Sequence, residues 1–136
     1  MDTPEMEMSY VETLREADIE FGRRFWQSLR KSKKFPIQGA FWLFESQAAE
    51  WHLVIATPRV DQVGQRDAYR ELADVTRSIP ADSAQLLRIE LISPNQPLYQ
   101  ALRSVFAQTA SVERARLGNT QVEGIFINDA YLYEVR

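Results

Sequence analysis

The stretch "GAFWLFESQAAEWHLVIAT", Gly39 to Thr57, carries the strongest indication of the fold of this chain. It holds two runs rich in aromatic and β-branched residues, Gly39–Glu45 and Trp51–Thr57, which are joined by the polar turn "SQAAE". Such runs are typical of β-strands, and the short polar connection predicts a hairpin. Both predicted strands are apolar on both faces. We therefore expect them in the middle of a sheet that is covered above and below.

Before the hairpin, one long helix is predicted from Ser9 to about Lys31. Ser9 followed by Glu12 fits a capping box, in which each side chain satisfies a free backbone donor of the other residue. The residue before Pro36 is disfavoured in helical geometry, so the helical segment ends there. Apolar residues recur at helical spacing along the predicted core side, at Tyr10, Leu14, Ala17, Phe21 and Phe25.

After the hairpin, helix and strand patterns alternate. A helix is predicted from about Gln65 to Ile79, a strand over Leu86–Ile92, and a helix in "SPNQPLYQALRSVFAQ". A strand, a helix and a strand in this order form a right-handed crossover, which makes the two strands parallel. On the third strand, Arg88 and Glu90 are expected to share one face as a solvated ion pair.

The tail "QVEGIFINDAYLYEVR" predicts a second hairpin, because Asn128-Asp129 accepts the positive φ of a two-residue turn. If Gly118-Asn119 forms another turn, "SVERARL", residues 111–117, adds a further strand. The predicted fold is α+β, a single mixed β-sheet of five or six strands with three helices, in the order α-ββ-α-β-α-(β)ββ. We expect one domain over 1–136, with residues 1–8 as a disordered acidic tail.

Composition excludes several classes of protein. The chain has 136 residues, a formal net charge of −3 and no cysteine. The lack of cysteine excludes disulfides, zinc ribbons and thiol catalysis and fits a reducing cytoplasm. No apolar run approaches the roughly 20 residues of a membrane helix, and the acidic start lacks the pattern of a secretion signal. We therefore expect a cytoplasmic protein with no membrane partner.

Catalytic and metal-binding patterns are weak. His52 is the single histidine, so a multi-histidine metal site is excluded, and no Ser or Asp lies near it in sequence to form a triad. Glu45, Asp61 and Glu90 fall on or beside strands, but no lysine accompanies them as in metal-dependent nucleases. We predict no catalytic residue, no metal and no cofactor, and interpret His52 as a structural residue of the sheet.

Charge is sorted along the first 35 residues. Residues 1–20 carry seven acids and one base, and residues 21–35 carry six bases and no acid. Acids at the start of a helix and bases at its end complement the helix dipole, which explains much of this pattern. The dipole leaves Lys33 and Lys34 unexplained, beyond the last turn. The alternative is a patch that binds nucleic acid or another polyanion, through Arg23, Arg24, Arg30, Lys31, Lys33 and Lys34.

The first helix has a wider apolar arc than a sheet-covering helix requires. Ile19, Gly22, Trp26 and Leu29 extend it to about half the circumference, beyond the ~100° stripe that faces a core. Gly22 costs about 1 kcal/mol within a helix, which a close approach of another backbone would offset. These residues suggest a second contact face. The leading hypothesis is a non-enzymatic interaction module that binds another protein or itself, as a homodimer through this face.

A third hypothesis concerns "TPRVDQVGQRD", residues 57–67, which follows a predicted central strand and precedes a helix. Ligands often bind at such positions in α/β sheets. Gly64 permits close approach of the backbone, and Arg59 and Arg66 supply charge for a small anion or an enzyme substrate. The alternative is an ordinary loop in which Asp61 forms a local turn. The spacing matches neither a P-loop nor a dinucleotide-binding fingerprint.

Overall fold

Ten helices and strands follow one another in a computed structural model that describes residues 13–106 and 113–136. Two predicted features, the capping box at Ser9 and the acidic tail over 1–8, lie outside the described residues. The elements are α1 (Glu16–Lys31), β1 (Gly39–Glu45), β2 (Glu50–Ala56), α2 (Arg59–Val63), α3 (Gln65–Thr76), α4 (Ser83–Leu87), β3 (Ile89–Ile92), α5 (Pro97–Phe106), β4 (Ala115–Val122) and β5 (Ile125–Val135).

One mixed sheet has the strand order β3-β2-β1-β5-β4. Strand β3 is parallel to β2, and the other neighbours are antiparallel. The α+β class, the mixed sheet and the parallel crossover pair are thereby confirmed. Strand β1 lies at the centre of the sheet, as its two apolar faces predicted, with β2 on one side and β5 on the other.

Helices cover both faces of the sheet. On one face, which we call the α1 side, Phe25 and Leu29 of α1 pack with Trp42 and Leu53. On the opposite face, the α5 side, Leu102 of α5 belongs to a second core. The largest side chains of this second core are Phe41, Ile92, Tyr99, Leu102, Ile127 and Leu132. Each fully buried large apolar side chain contributes about 1.5–3 kcal/mol to folding.

The predicted turn of the C-terminal hairpin is wrong. Strand β5 passes through Asn128-Asp129, and the turn lies at Glu123-Gly124, between the paired residues Val122 and Ile125. Glu123 and Gly124 have φ of 48° and 80°, the positive values that such a turn requires. Strand β5 spans 11 residues, because its residues Ile125 to Leu132 pair with β4 and its residues Ala130 to Val135 pair with β1.

The separate strand proposed for residues 111–117 is also corrected. The structure has one strand there, β4, which begins at Ala115 and continues through Gly118-Asn119 to Val122. Asn119 has a φ of 46°, so the predicted turn site is a local irregularity within a continuous strand. Residues 111–112 lie outside the described ranges.

The third strand is shorter than predicted, and its charged residues face opposite sides. Residues Ser83–Leu87 form α4, whose N-cap Asp82 accepts a hydrogen bond from the Gln85 backbone N at 2.8 Å. Arg88 ends that helix, and its Nη1 lies 3.0 Å from Asp18 Oδ1 of α1. The prediction that Arg88 and Glu90 form a solvated ion pair on one face is therefore wrong, because Glu90 contacts His52 instead.

Candidate functional site

Gly22 allows helix α1 to lie close to the sheet. A Cβ atom at this position would come within 2.6 Å of Trp42 Nε1. That nitrogen donates a hydrogen bond to the Tyr133 hydroxyl at 3.0 Å, and the hydroxyl donates to the Ile19 carbonyl at 2.6 Å. The close approach that compensates for a helical glycine is therefore made by side chains of β1 and β5.

The expected partner face is buried within the chain itself. Trp26 is 7% exposed, stacks on Tyr133 with ring centroids 5.6 Å apart, and donates from Nε1 to Glu134 Oε1 at 2.7 Å. Leu29 is fully buried, and Ile19 packs against the same core. The interpretation of Ile19, Gly22, Trp26 and Leu29 as a surface for a second molecule is corrected by this burial. A homodimer would have to use another surface.

A bulge in β5 explains why the apolar arc of α1 is so wide. The pairing of β5 with β1 shifts between Ala40 and Phe41, so that Ala40 is opposite Glu134 and Phe41 is opposite Leu132. Tyr133 is the extra residue. Both Tyr133 and Glu134 contact α1, although consecutive residues of a regular strand point to opposite faces. The helix therefore meets a broader surface than a regular strand presents.

The six cations of residues 23–34 divide into two groups. Arg23 pairs with Glu113 and lies 3.7 Å from Glu20, while Arg30 lies 3.7 Å from Glu134. The other four are exposed and form no ion pair with any residue in 13–106 or 113–136. These four, which we call the unpaired cations, are Arg24, Lys31, Lys33 and Lys34.

The unpaired cations line three grooves at the end of α1. The largest, about 420 Å³, lies between the C-terminal ends of α1 and α3 and includes Lys31, Lys34 and the serines 28, 32 and 78. A groove of about 240 Å³ includes Lys33 and Arg136, and one of about 180 Å³ includes Arg24. The three grooves share lining residues, Ser28 and Ser32 among them, and therefore adjoin one another. We call the whole the basic surface.

Few acids oppose this basic surface. Asp74 is the one acid among the described residues that line the three grooves, and its carboxylate lies 3.3 Å from Arg77. Glu134, beside the groove that contains Arg136, is itself shared between Arg30 and Arg136 and accepts from Trp26. The acids of residues 13–106 and 113–136 therefore do not neutralise the unpaired cations.

The predicted anion site at residues 57–67 is occupied by internal contacts. The Arg59 guanidinium donates to both carboxylate oxygens of Glu71, at 2.8 and 2.6 Å, and this pair lowers the pKa of Glu71. Asp61 accepts from the Ser93 hydroxyl. Gly64 has a φ of 90° and separates α2 from α3, and Arg66 is exposed. Arg59 and Asp61 thus hold the loop in place, so the Arg59 guanidinium is engaged internally and Arg66 is left as the exposed guanidinium of the hypothesis.

His52 bridges two carboxylates on the α5 side. Its Nε2 lies 2.9 Å from Glu50 Oε1, and its Nδ1 lies 3.2 Å from Glu90 Oε1. Partial burial is the largest single influence and disfavours the charged ring, but together the two carboxylates outweigh it and raise the pKa of His52. Within the described ranges, no group of three potential ligands is placed to hold a metal ion. The arrangement is that of a structural ion-pair network.

Comparisons with models of known families, with curated proteins and with solved structures find no match to this chain. In the part of the chain that the structure describes, no helix is both long and apolar enough to span a membrane.

Proposed function

We propose that this protein is a cytoplasmic binding module for a polyanion, which it holds on the basic surface at the end of α1. The observation that supports the proposal is the set of four exposed cations, Arg24, Lys31, Lys33 and Lys34, without ion-pair partners among the described residues. They line connected grooves, so a single extended ligand can reach all of them.

The sum of local charges favours an anion. The C-terminal ends of α1 and α3 meet at the largest groove, and each carries about half a negative charge from its helix dipole. Together these ends offset about one of the four unpaired positive charges. Asp74 is compensated by Arg77. A net positive potential remains, although the chain as a whole has a formal net charge of −3.

The shape of the surface favours a long ligand over a small one. The cations lie on open grooves rather than in an enclosed pocket, and single contacts between exposed charges contribute only about 0–1 kcal/mol each. Useful affinity therefore requires several contacts at once. A polyanion supplies these contacts and also gains free energy from the release of its condensed counterions.

Replacement of two unpaired cations tests the proposal. Lys33→Gln/Lys34→Gln is expected to weaken binding of fluorescent heparin about tenfold at low salt, because two phosphate- or sulfate-type contacts are lost. Arg24→Gln/Lys31→Gln removes the same charge from the smallest groove and from the largest groove, which Lys31 also lines, and is expected to have a similar effect. Fluorescence anisotropy gives the dissociation constants, and circular dichroism verifies that the variants remain folded.

The matched control is Arg70→Gln/Arg103→Gln, which removes two exposed positive charges from α3 and α5, away from the three grooves. We expect its affinity to stay within about twofold of wild type, apart from a small general effect of net charge. Equal losses in the control and in the groove variants would show that binding follows net charge rather than this surface. A loss confined to Arg66→Gln would instead indicate the loop at residues 57–67.

A further inference from the structure

The aromatic residues within the cation-rich segment 21–35 are buried. Phe25 and Phe35 are fully buried, and Trp26 is 7% exposed and held between Tyr133 and Glu134. The cations between them remain in solvent. A sequence pattern of alternating aromatic and basic residues therefore becomes, in three dimensions, a surface of charge alone.

This separation of aromatic from basic side chains limits how the surface contacts a ligand. Proteins that bind single-stranded nucleic acids commonly stack bases on exposed aromatic rings, at about 1–3 kcal/mol per base. The basic surface offers no such ring among the described residues. It offers ammonium and guanidinium groups together with the hydroxyls of Ser28 and Ser32, which are donors suited to phosphate oxygens.

The same observation argues against a membrane surface. Peripheral membrane proteins combine basic residues with apolar side chains that enter the lipid boundary. Among the described residues, the exposed large apolar side chains all lie outside the basic surface. They are Leu86, Leu87, Val105 and Phe126.

We infer that the ligand of the basic surface is a nucleic acid contacted through its phosphates alone, so that it is bound without preference for base sequence. The inference rests on the proposed function, since it names the class of polyanion held at the same grooves. Phosphate contacts position a nucleic acid but carry no sequence information, whereas base contacts supply specificity. The affinity is then governed by the number of neutralised phosphates.

Salt dependence measures that number. With four phosphates neutralised by the unpaired cations, log K against log salt is expected to have a slope of about −3.6 for duplex DNA and about −2.8 for single strands. Lys33→Gln/Lys34→Gln is expected to reduce the duplex slope by about two units, and Arg70→Gln/Arg103→Gln to leave it unchanged. A slope near zero, or an equal change in the control, would overturn the inference.

Sequence independence is tested with duplexes and single strands of equal length and varied base composition. Dissociation constants within about threefold of each other are expected within each set. A good bidentate base contact changes affinity by about 5–150-fold between bases, so a preference of that size would contradict phosphate-only binding. So would binding to phosphatidylserine vesicles, heparin or polyphosphate with no binding to nucleic acid, although heparin binding would leave the proposed function intact. No binding to any of these polyanions would refute both.

Discussion

Single residues at the contact between α1 and the sheet decide how the molecule is assembled. Gly22 is there because Trp42 and Tyr133 occupy the space of a Cβ atom. Trp26, the residue that the sequence marks as surplus to the core, stacks on Tyr133 and donates to Glu134. Its position on the helix is visible in the sequence, but its partners are more than 100 residues away along the chain.

Gly22→Ala is expected to destabilise the protein by about 1–3 kcal/mol, although alanine gains about 1 kcal/mol in helix propensity. The added methyl group would displace Trp42 and Tyr133 and disturb their buried hydrogen bonds. Urea unfolding followed by tryptophan fluorescence gives the change. As a control, Ala17→Gly at an exposed position of α1 should lose only about 1 kcal/mol of propensity. A Gly22→Ala protein more stable than wild type would contradict the close approach.

His52 makes stability depend weakly on pH. Its pKa is raised in the folded protein, so its contribution is fully present below the unfolded value of about 6.5 and is lost as pH rises through the folded value. The difference in unfolding free energy between wild type and His52→Gln should therefore fall as the pH rises above about 6.5. We expect a change of a few tenths of a kcal/mol, typical of partly exposed pairs. In Glu50→Gln/Glu90→Gln, burial remains and lowers the pKa of His52, so the difference should no longer fall with pH and should rise instead; an increase with pH in the protein that keeps both glutamates would contradict the assignment.

At the scale of whole elements, local signals competed with each other. The segment "LLRIELI", residues 86–92, has strong strand character. The capping pair Asp82 and Gln85 nevertheless starts a short helix that includes Leu86 and Leu87, so the strand begins at Ile89. In the tail, Asn128-Asp129 is a good turn dipeptide, but Glu123-Gly124 forms the turn. Pairing with two neighbouring strands requires a long β5, and the many backbone hydrogen bonds outweigh the preference of one dipeptide.

Glu123→Asn is expected to stabilise the hairpin, because asparagine adopts positive φ more readily than glutamate and Asn-Gly is favoured in such turns. A gain of about 0.5–1 kcal/mol would raise the melting temperature by roughly 2–4 °C. Calorimetry measures it. Asp129→Asn is the comparison, since it improves the turn dipeptide that the sequence favours but removes the partner of Arg116. A gain from Asp129→Asn and none from Glu123→Asn would indicate that the turn lies at Asn128-Asp129 and would contradict the turn at Glu123-Gly124.

At the scale of the whole molecule, one end of α1 gathers positive charge that the acids in the described part of the chain do not cancel locally. The sequence shows this run of cations clearly, but it does not show which of them are paired. Arg23 finds Glu113 and Arg30 finds Glu134, both distant in sequence. Arg24, Lys31, Lys33 and Lys34 remain unpaired among the described residues, and this division turns a charge pattern into a candidate site.

The amino-acid pattern alone was enough to predict the α+β class, the central position of the β1–β2 hairpin and the parallel crossover to β3. These features follow from hydrophobic period, turn composition and chain connectivity, which are local or depend on neighbouring elements. Tertiary contacts, in contrast, make the Trp26 face internal and place the bulge of β5 at Tyr133. They also determine which cations of residues 23–34 have an ion-pair partner among the described residues. Those outcomes depend on side-chain contacts between distant segments, and the local patterns of hydrophobicity and charge do not specify such contacts.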